Sequence, residues 1–191
     1  MTPVDEVARA LAAGDPVVIP TDTVYGLACR PDREEAARAL SVLKGRSAEQ
    51  PIALVGPSLE ALRALVPEIP DAVPTGPYTC VVANPERRLP WLSGSRPDTI
   101  GVRIPDVAGA ARELLQRVGA VAATSANLHG GPDPARIADI PNVILGGVAA
   151  VLDAGELPGT PSTVIDLTGA EPRVLREGAV PAAEALRQLA E

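Results

Sequence analysis

Apolar residues recur with helical spacing in some stretches of this chain and run together in short blocks in others. Val7, Ala8 and Leu11 share one side of Val4–Ala13, which predicts a first helix, stopped by Gly14. Pro16-Val17-Val18-Ile19-Pro20 is an apolar block between breakers and predicts a buried strand. Thr21 to Gly26 reads as a polar loop hanging from its end. Asp32, with Glu35 three residues on, predicts a capped helix whose inward face is Ala36, Leu40 and Leu43. A strand follows over Pro51–Val55, then a helix over Ser58–Val66 carrying Leu59, Leu62, Leu65 and Val66. Tyr78–Ala83 and Ile100–Ile104 predict strands, and Asp106–Val118 a helix. Ala120–Ala123 predicts a strand opening onto Thr124-Ser125-Ala126-Asn127. Val148–Leu152, Thr163–Leu167 and Arg173–Leu175 predict short strands, and Pro181 starts a last helix with Leu186 and Leu189 facing inward.

Strands alternate with helices early and dominate late, and no repeat is evident. The pattern predicts one α/β domain built on a twisted, open sheet of mixed and parallel strands flanked by helices. Its 191 residues, 46% of them apolar, suffice for one domain with a real core. A glycine-rich dinucleotide fingerprint and a Walker A sequence are both absent. No run of eighteen apolar residues marks a membrane span, and the N-terminus has no basic-then-apolar order of a signal peptide. Cys29 and Cys80 lie in apolar stretches without metal-ligand spacing, which predicts two small buried hydrophobes in a reducing cytoplasm.

Net charge is −7, so the chain as a whole is not a basic nucleic-acid binder. Tyr25, Tyr78 and Trp91 are its only aromatics, too few for a row of base-stacking rings. Of its 17 basic residues one alone is lysine, Lys44, in Leu43-Lys44-Gly45-Arg46. An ammonium is a compact point charge and a guanidinium a planar fork, so a single surviving lysine marks either chance or a place where that difference matters.

Four segments put small polar residues after apolar ones: Pro20-Thr21-Asp22-Thr23-Val24-Tyr25-Gly26, Lys44-Gly45-Arg46-Ser47, Thr124-Ser125-Ala126-Asn127-Leu128-His129-Gly130, and Gly159-Thr160-Pro161-Ser162-Thr163. Singly, each is an ordinary turn as readily as a functional loop. Together they suggest a shared cleft at strand ends whose hydroxyls, amides and N–H groups hold anionic oxygens. His129, the only histidine, reads as a satisfied or solvent-exposed side chain. No serine–histidine–aspartate set and no zinc spacing can be assembled. Catalysis here would rest on positive charge and positioning, which suits chemistry at a phosphoryl group.

In this order the motifs resemble those of the threonylcarbamoyl-AMP synthase family, the YrdC-like domain. Pro20-Thr21-Asp22-Thr23-Val24-Tyr25-Gly26 is similar to its opening Pro-Thr-x-Thr-x-Tyr-Gly, and Lys44-Gly45-Arg46 to its Lys-x-Arg. Gly76-Pro77-Tyr78-Thr79, Arg103-Ile104-Pro105, Ser125-Ala126-Asn127-Leu128-His129-Gly130, Ser162-Thr163-Val164-Ile165-Asp166 and Leu175-Arg176-Glu177-Gly178 follow. The resemblance runs from about Gly14 to Gly178 and implies a YrdC-like fold. It implies an enzyme joining L-threonine, bicarbonate or CO2, and ATP into threonylcarbamoyl-AMP and pyrophosphate. Separate transfer proteins then place the threonylcarbamoyl group on adenosine 37 of tRNA, with at most weak tRNA contact by this chain. Magnesium is expected to arrive with ATP, and a short chain without a further C-terminal domain is expected.

The resemblance also implies roles. Lys44 and Arg46 are expected on the phosphates and on the carbamate or carboxylate. Ser125, Asn127 and Ser162 would orient the phosphate chain and carbamate, and Arg176 would contact nucleotide phosphate or ribose. Thr21, Thr23 and Tyr25 would line the amino-acid pocket, with Arg103 for its carboxylate. A lysine on substrate phosphates should not be a core element, so replacing Lys44 is expected to leave the fold intact. The chain departs from the family pattern at Ser47 and Pro161, and Leu54 stands where many members carry a histidine near the threonine site. Two other readings compete: an RNA-binding or ribosome-maturation module, with Arg87, Arg88 and Arg96 as a basic patch, and a carbamoyl-phosphate-dependent relative. A broad basic groove would favour RNA, and a closed basic pocket ATP.

Overall fold

A computed structural model of the chain describes residues 2–189. Its elements are α1 (Pro3–Ala13), β1 (Val17–Pro20), β2 (Tyr25–Cys29), α2 (Glu34–Lys44), β3 (Ala53–Val55), α3 (Leu59–Arg63), β4 (Tyr78–Ala83), β5 (Thr99–Arg103), α4 (Gly109–Val118), β6 (Val121–Ser125), α5 (Asn142–Leu145), β7 (Ala150–Val151), β8 (Thr163–Asp166), β9 (Arg173–Arg176) and α6 (Ala182–Gln188). The nine strands form one sheet in the order β7-β1-β2-β6-β3-β5-β4-β8-β9. It is mixed, as expected: β1/β7, β3/β5 and β4/β8 are parallel, and the other neighbours antiparallel.

Strand alternation sorts the core into two layers. Val17 and Ile19 of β1, Ala28, Val55, Val121 and Ala123 pack under α1 and α4 through Val7, Leu11, Leu114 and Leu115. Val18, Leu27, Cys29, Leu54, Cys80, Val82, Ile100, Val102 and Ile165 face the opposite layer, which also holds Leu40 of α2, Leu62 of α3, Ile144 of α5 and Ala185 of α6. None of the residues of α1 or α4 belongs to the layer over β4, β5 and β8, so the sheet face beyond β3 carries no helix on that side.

Several boundaries differ from the sequence expectation, each for a local reason. Tyr25 and Gly26 belong to β2, not to the loop; all five β2 residues are buried, so no alternation announced the strand. Asp32 does not cap α2: Arg30 holds both its carboxylate oxygens, and the N-cap is Arg33, without a side-chain bond. The helix expected from Asp106 begins at Gly109, because the Asp106 N–H is engaged by the Asp22 carboxylate. In α6 Ala185 faces inward, as does Leu189 just past the helix end, while Leu186 is exposed. Cys29 and Cys80 are free and buried, as expected. Burial pushes both thiols up to about 12, out of the range of useful nucleophiles.

Gly178 shows why the closing motif ends in glycine. A Cβ there would overlap the Pro161 carbonyl oxygen and the Ser162 backbone, so only glycine lets the chain leaving β9 pass this close to the segment leading into β8. Gly178→Ala is expected to cost about 1–3 kcal/mol, read as a lowered midpoint in thermal or urea unfolding.

Candidate functional site: a cationic basin on the open face of the sheet

The bare sheet face forms the floor of a cavity of about 620 Å³, within the range of small-molecule sites. Ala53 of β3, Thr99 and Gly101 of β5, Thr79 and Val81 of β4, and Val164 of β8 contribute to it. All are small or medium residues at alternate strand positions, so the floor stays low while their neighbours fill the core beneath. The four polar segments do converge here, each giving residues to the wall. They meet over a sheet face as well as at strand ends.

The Lys44-Gly45-Arg46 wall is shaped by a helix end. Gly45 adopts φ +63°, its N–H bonds Val42 and the Arg46 N–H bonds Ser41, which is a Schellman turn. The left-handed residue reverses the chain so that Lys44 and Arg46 both line the cavity. Lys44 is 4% exposed. Its ammonium donates to the Ser125 carbonyl at 2.5 Å, the Asn127 carbonyl at 2.9 Å and Asn127 Oδ1 at 2.6 Å. The same Oδ1 accepts from Ser125 Oγ at 2.7 Å, and Asn127 Nδ2 donates to the Gly131 carbonyl at 2.7 Å. Burial first, and then the neighbouring Arg46 charge, bring the Lys44 pKa down to about 8, while Asp133 opposes them. Lys44 is therefore a structural cross-link as well as a cavity residue, which corrects the expectation that its loss leaves the fold untouched.

Arg46 has a different balance. Nη1 donates to Thr124 Oγ1 at 3.3 Å, while Nε and Nη2 are buried without a partner. Burial lowers its pKa. The Nε–Nη2 edge is the one that meets carboxylate or phosphate oxygens two at a time. Arg103, 8% exposed, donates through Nη2 to Asp22 Oδ1 at 2.5 Å and Thr23 Oγ1 at 2.8 Å, and its Nε is buried without a partner.

Ser162 Oγ bonds Thr79 Oγ1 at 2.8 Å, and Arg176 Nη2 donates to the Ser162 carbonyl at 2.9 Å. Thr21 Oγ1 is spent inside its own loop, donating to the Val24 carbonyl at 2.7 Å and accepting from the Thr23 and Val24 N–H groups.

Of the expected site residues, Lys44, Arg46, Ser125, Asn127, Ser162, Arg176, Thr21 and Arg103 line the basin. Thr23 and Tyr25 are not among its lining residues. Thr23 is fully buried behind Arg103, and the Tyr25 hydroxyl bonds Asp153, the Gly155 carbonyl and the Ala154 N–H. Leu54 is buried in the opposite core layer, while its neighbours Ala53 and Val55 line the basin. Sequence reasoning missed Arg96, Thr99, Gln50, Ser93 and Asp133 as lining residues. No motif contains them, although Thr99 lies four residues before Arg103 and shares its strand face. Exposed His129 sits at the rim, 3.4 Å from the Gln50 amide. Lys44, Arg46, Arg96, Arg103 and Arg176 thus face one lining carboxylate, Asp133, among the described residues. A chain of net charge −7 thus places five of its 17 basic residues around one cavity.

The Sua5–YciO–YrdC family model, described as telomere recombination, matches residues 9–178. A threonylcarbamoyl-AMP synthase of Pyrococcus abyssi is 35% identical over 187 residues, 93% of this chain and 54% of that protein, so the chain spans about half its length. A threonylcarbamoyl-AMP synthase of Pseudomonas fluorescens is 32% identical over 173 residues, covering 86% of this chain and 92% of that one. Among solved structures, P. abyssi Sua5 complexed with L-threonine superposes with TM-score 0.86 at 33% identity, over 97% of this chain and 56% of that one.

Two substitutions separate structural from open groups in the basin. Lys44→Met takes the ammonium donor from the Ser125 and Asn127 carbonyls and leaves Asn127 Oδ1 with Ser125 Oγ alone, and is expected to cost at least about 2 kcal/mol. Ser93 Oγ is buried without a partner, so Ser93→Ala is expected to raise the melting temperature by about 2–4 °C. Thermal unfolding of the two variants beside the parent protein checks both signs.

Proposed function

The chain belongs to the Sua5–YciO–YrdC family, and from that premise we propose that its basin joins L-threonine, bicarbonate or CO2, and ATP into threonylcarbamoyl-AMP and pyrophosphate. The observation that carries this reading is the Arg46 edge, buried and unpaired in a cavity lined by five cations. A buried cation without a partner is costly in the free protein, and an anionic substrate supplies the missing partner. The named activity of the Pyrococcus and Pseudomonas relatives supports it.

The chemistry asks little of the protein beyond charge and alignment. The threonine amine attacks CO2, loses a proton and becomes a carbamate. A carbamate oxygen attacks the α-phosphorus, the bond from that phosphorus to the bridging oxygen breaks, and pyrophosphate leaves. The nucleophile belongs to the substrate, which suits a basin whose nearby thiols are inert. Arg46 takes the phosphate or carbamate oxygens two at a time, and Lys44 adds charge while holding Ser125 and Asn127 in place. Arg103 faces the amino-acid carboxylate, and Ser162 and Arg176 the nucleotide end. Thr21 shapes the amino-acid side of the wall, with Thr23 and Tyr25 behind it as supports. Magnesium carried with ATP would be held chiefly by phosphate and water, which needs no cage of acids, and would screen the phosphate charge; Asp133, the one carboxylate lining the basin among the described residues, is the protein group that could face it. Transfer of the product to tRNA falls to separate proteins, in the cytoplasm. The RNA-module alternative finds less support. Arg88 pairs with half-buried Glu68, and Arg96 turns to the basin and Asp166, so these two arginines do not build one groove.

Pyrophosphate release with ATP, magnesium and bicarbonate is expected to require L-threonine; release that ignores threonine or bicarbonate overturns the reading. A pH dependence follows from Lys44. Its pKa is held down to about 8 in the free protein, and a bound anion restores the charged form. The complex therefore takes up a proton once the free lysine has begun to lose its own, and ATP affinity is expected to weaken as pH rises through about 8 and to level off below it. Calorimetric titration of ATP across that range measures the trend.

A further inference from the structure

The opening motif leaves one place free between its two threonines, and here that place holds Asp22. We infer that Asp22 is a positioning residue, setting the Arg103 guanidinium in the orientation that receives the carboxylate of the amino-acid substrate; this rests on the function proposed above.

The geometry is that of a clasp. Asp22 Oδ1 accepts from Arg103 Nη2 at 2.5 Å, and Oδ2 accepts from the Asp106 N–H at 3.0 Å. One carboxylate thus ties the loop after β1 both to the last residue of β5 and to the turn that follows it. The two side chains are about nine-tenths buried, at 9% and 10% exposed. Thr23 Oγ1 takes the second Nη2 bond at 2.8 Å, and Thr23 is itself held by Thr21 Oγ1 at 3.0 Å. Nη2 is therefore fully used by the protein. Nε remains buried without a partner, and Arg103 lines the basin. A guanidinium has one plane, so fixing Nη2 from two directions fixes where its other N–H groups aim.

Asp22 does not line the basin, so its influence on a ligand runs through Arg103. Asparagine at this place has a single carbonyl oxygen for two donors, so either Arg103 or the Asp106 N–H loses its partner. The freed arginine would meet the substrate carboxylate from many orientations rather than one, and the cost appears in amino-acid binding alone.

The test uses the full chain and calorimetric binding of L-threonine and of ATP, measured separately, with melting temperatures alongside. For Asp22→Asn the dissociation constant for L-threonine is expected to rise about tenfold or more, the loss of one charge-assisted hydrogen bond, with that for ATP within about twofold. Asp22→Glu keeps the charge at a different reach and should show a smaller loss of the same selectivity. It also carries the test if Asp22→Asn does not fold. In an Arg103→Lys background, Asp22→Asn should add little further, because the group it orients is gone. Equal losses for both ligands, no change, tighter threonine binding, or a full additional loss in the Arg103→Lys background would each overturn the positioning role. A parent protein that fails to bind L-threonine would instead overturn the proposed function, so the two failures are distinct.

Discussion

The site depends on one buried ammonium. Lys44 ends α2 and donates to three oxygens of Ser125 and Asn127, with Ser125 Oγ a fourth at 3.4 Å. Its own carbonyl accepts the His129 N–H, so the helix end and the Ser-Ala-Asn loop are joined twice. Those oxygens converge toward a point. A compact ammonium with three protons fits such a cage, whereas a planar fork would splay its donors past it. That is a physical reason for the lone lysine in a chain that otherwise uses arginine at its basic positions. Arg46, two residues on and turned by Gly45, needs the opposite shape, because a flat two-pronged edge is what pairs with a two-oxygen anion.

The basin exists because the sheet is longer than its helical cover. α1 and α4 pack over β7, β1, β2, β6 and part of β3, and the face continues bare across β5, β4 and β8. A parallel α/β sheet would have helices on both faces, but antiparallel pairings free the chain from crossover helices and allow one face to meet solvent. On that face the strands present Thr79, Val81, Thr99 and Gly101, while Cys80, Val82, Ile100 and Val102 lock the other side into the core. The result is a floor of strand residues with charge only at the walls, where Arg103 and Arg176 end β5 and β9, Lys44 ends α2, and Arg46 and Arg96 come from turns.

Most elements were legible from spacing, and so was the convergence of the four polar segments. The misses have physical causes. β2 is buried on both faces and carries Gly26, so periodicity reads it as loop. The capping box at Asp32 is a valid local signal, outcompeted by a bidentate arginine two residues away. Residues singled out by motif were found near the basin, yet motif membership does not separate those that face a ligand from those that hold the wall. Thr21 and Tyr25 spend their hydroxyls on the protein. Arg96 and Ser93 face the cavity from a turn without a motif, clamped to the Glu49–Pro51 segment through the Ser95 N–H and through Gly94, which has φ +63° and no room for a side chain. That contact joins residues more than forty positions apart, and single-sequence spacing carries no trace of it.

The distribution of unpaired groups then separates scaffold from site. Among the described residues, Lys44, Thr21, Thr23, Asn127 and Ser162 have their polar atoms engaged, while Arg46 and Arg103 retain buried N–H groups that no protein atom accepts. A chain selected for stability alone would pair or remove such groups, since each orphaned buried donor costs about 1–3 kcal/mol. They are tolerable because the rest of the wall is over-determined: Asp22 and Thr23 behind Arg103, and Thr124 and the Schellman turn behind Arg46. Of the five buried unpaired side-chain atoms among the described residues, four belong to the basin-lining Arg46, Arg103 and Ser93 and one to Glu68 outside it, a concentration expected where a ligand completes the structure. The same reasoning accounts for a basin rich in arginine inside an acidic protein. Outside it, arginines such as Arg30, Arg38, Arg117 and Arg136 sit on the surface beside a carboxylate, so the positive field that remains for an incoming anion is concentrated where its oxygens are needed.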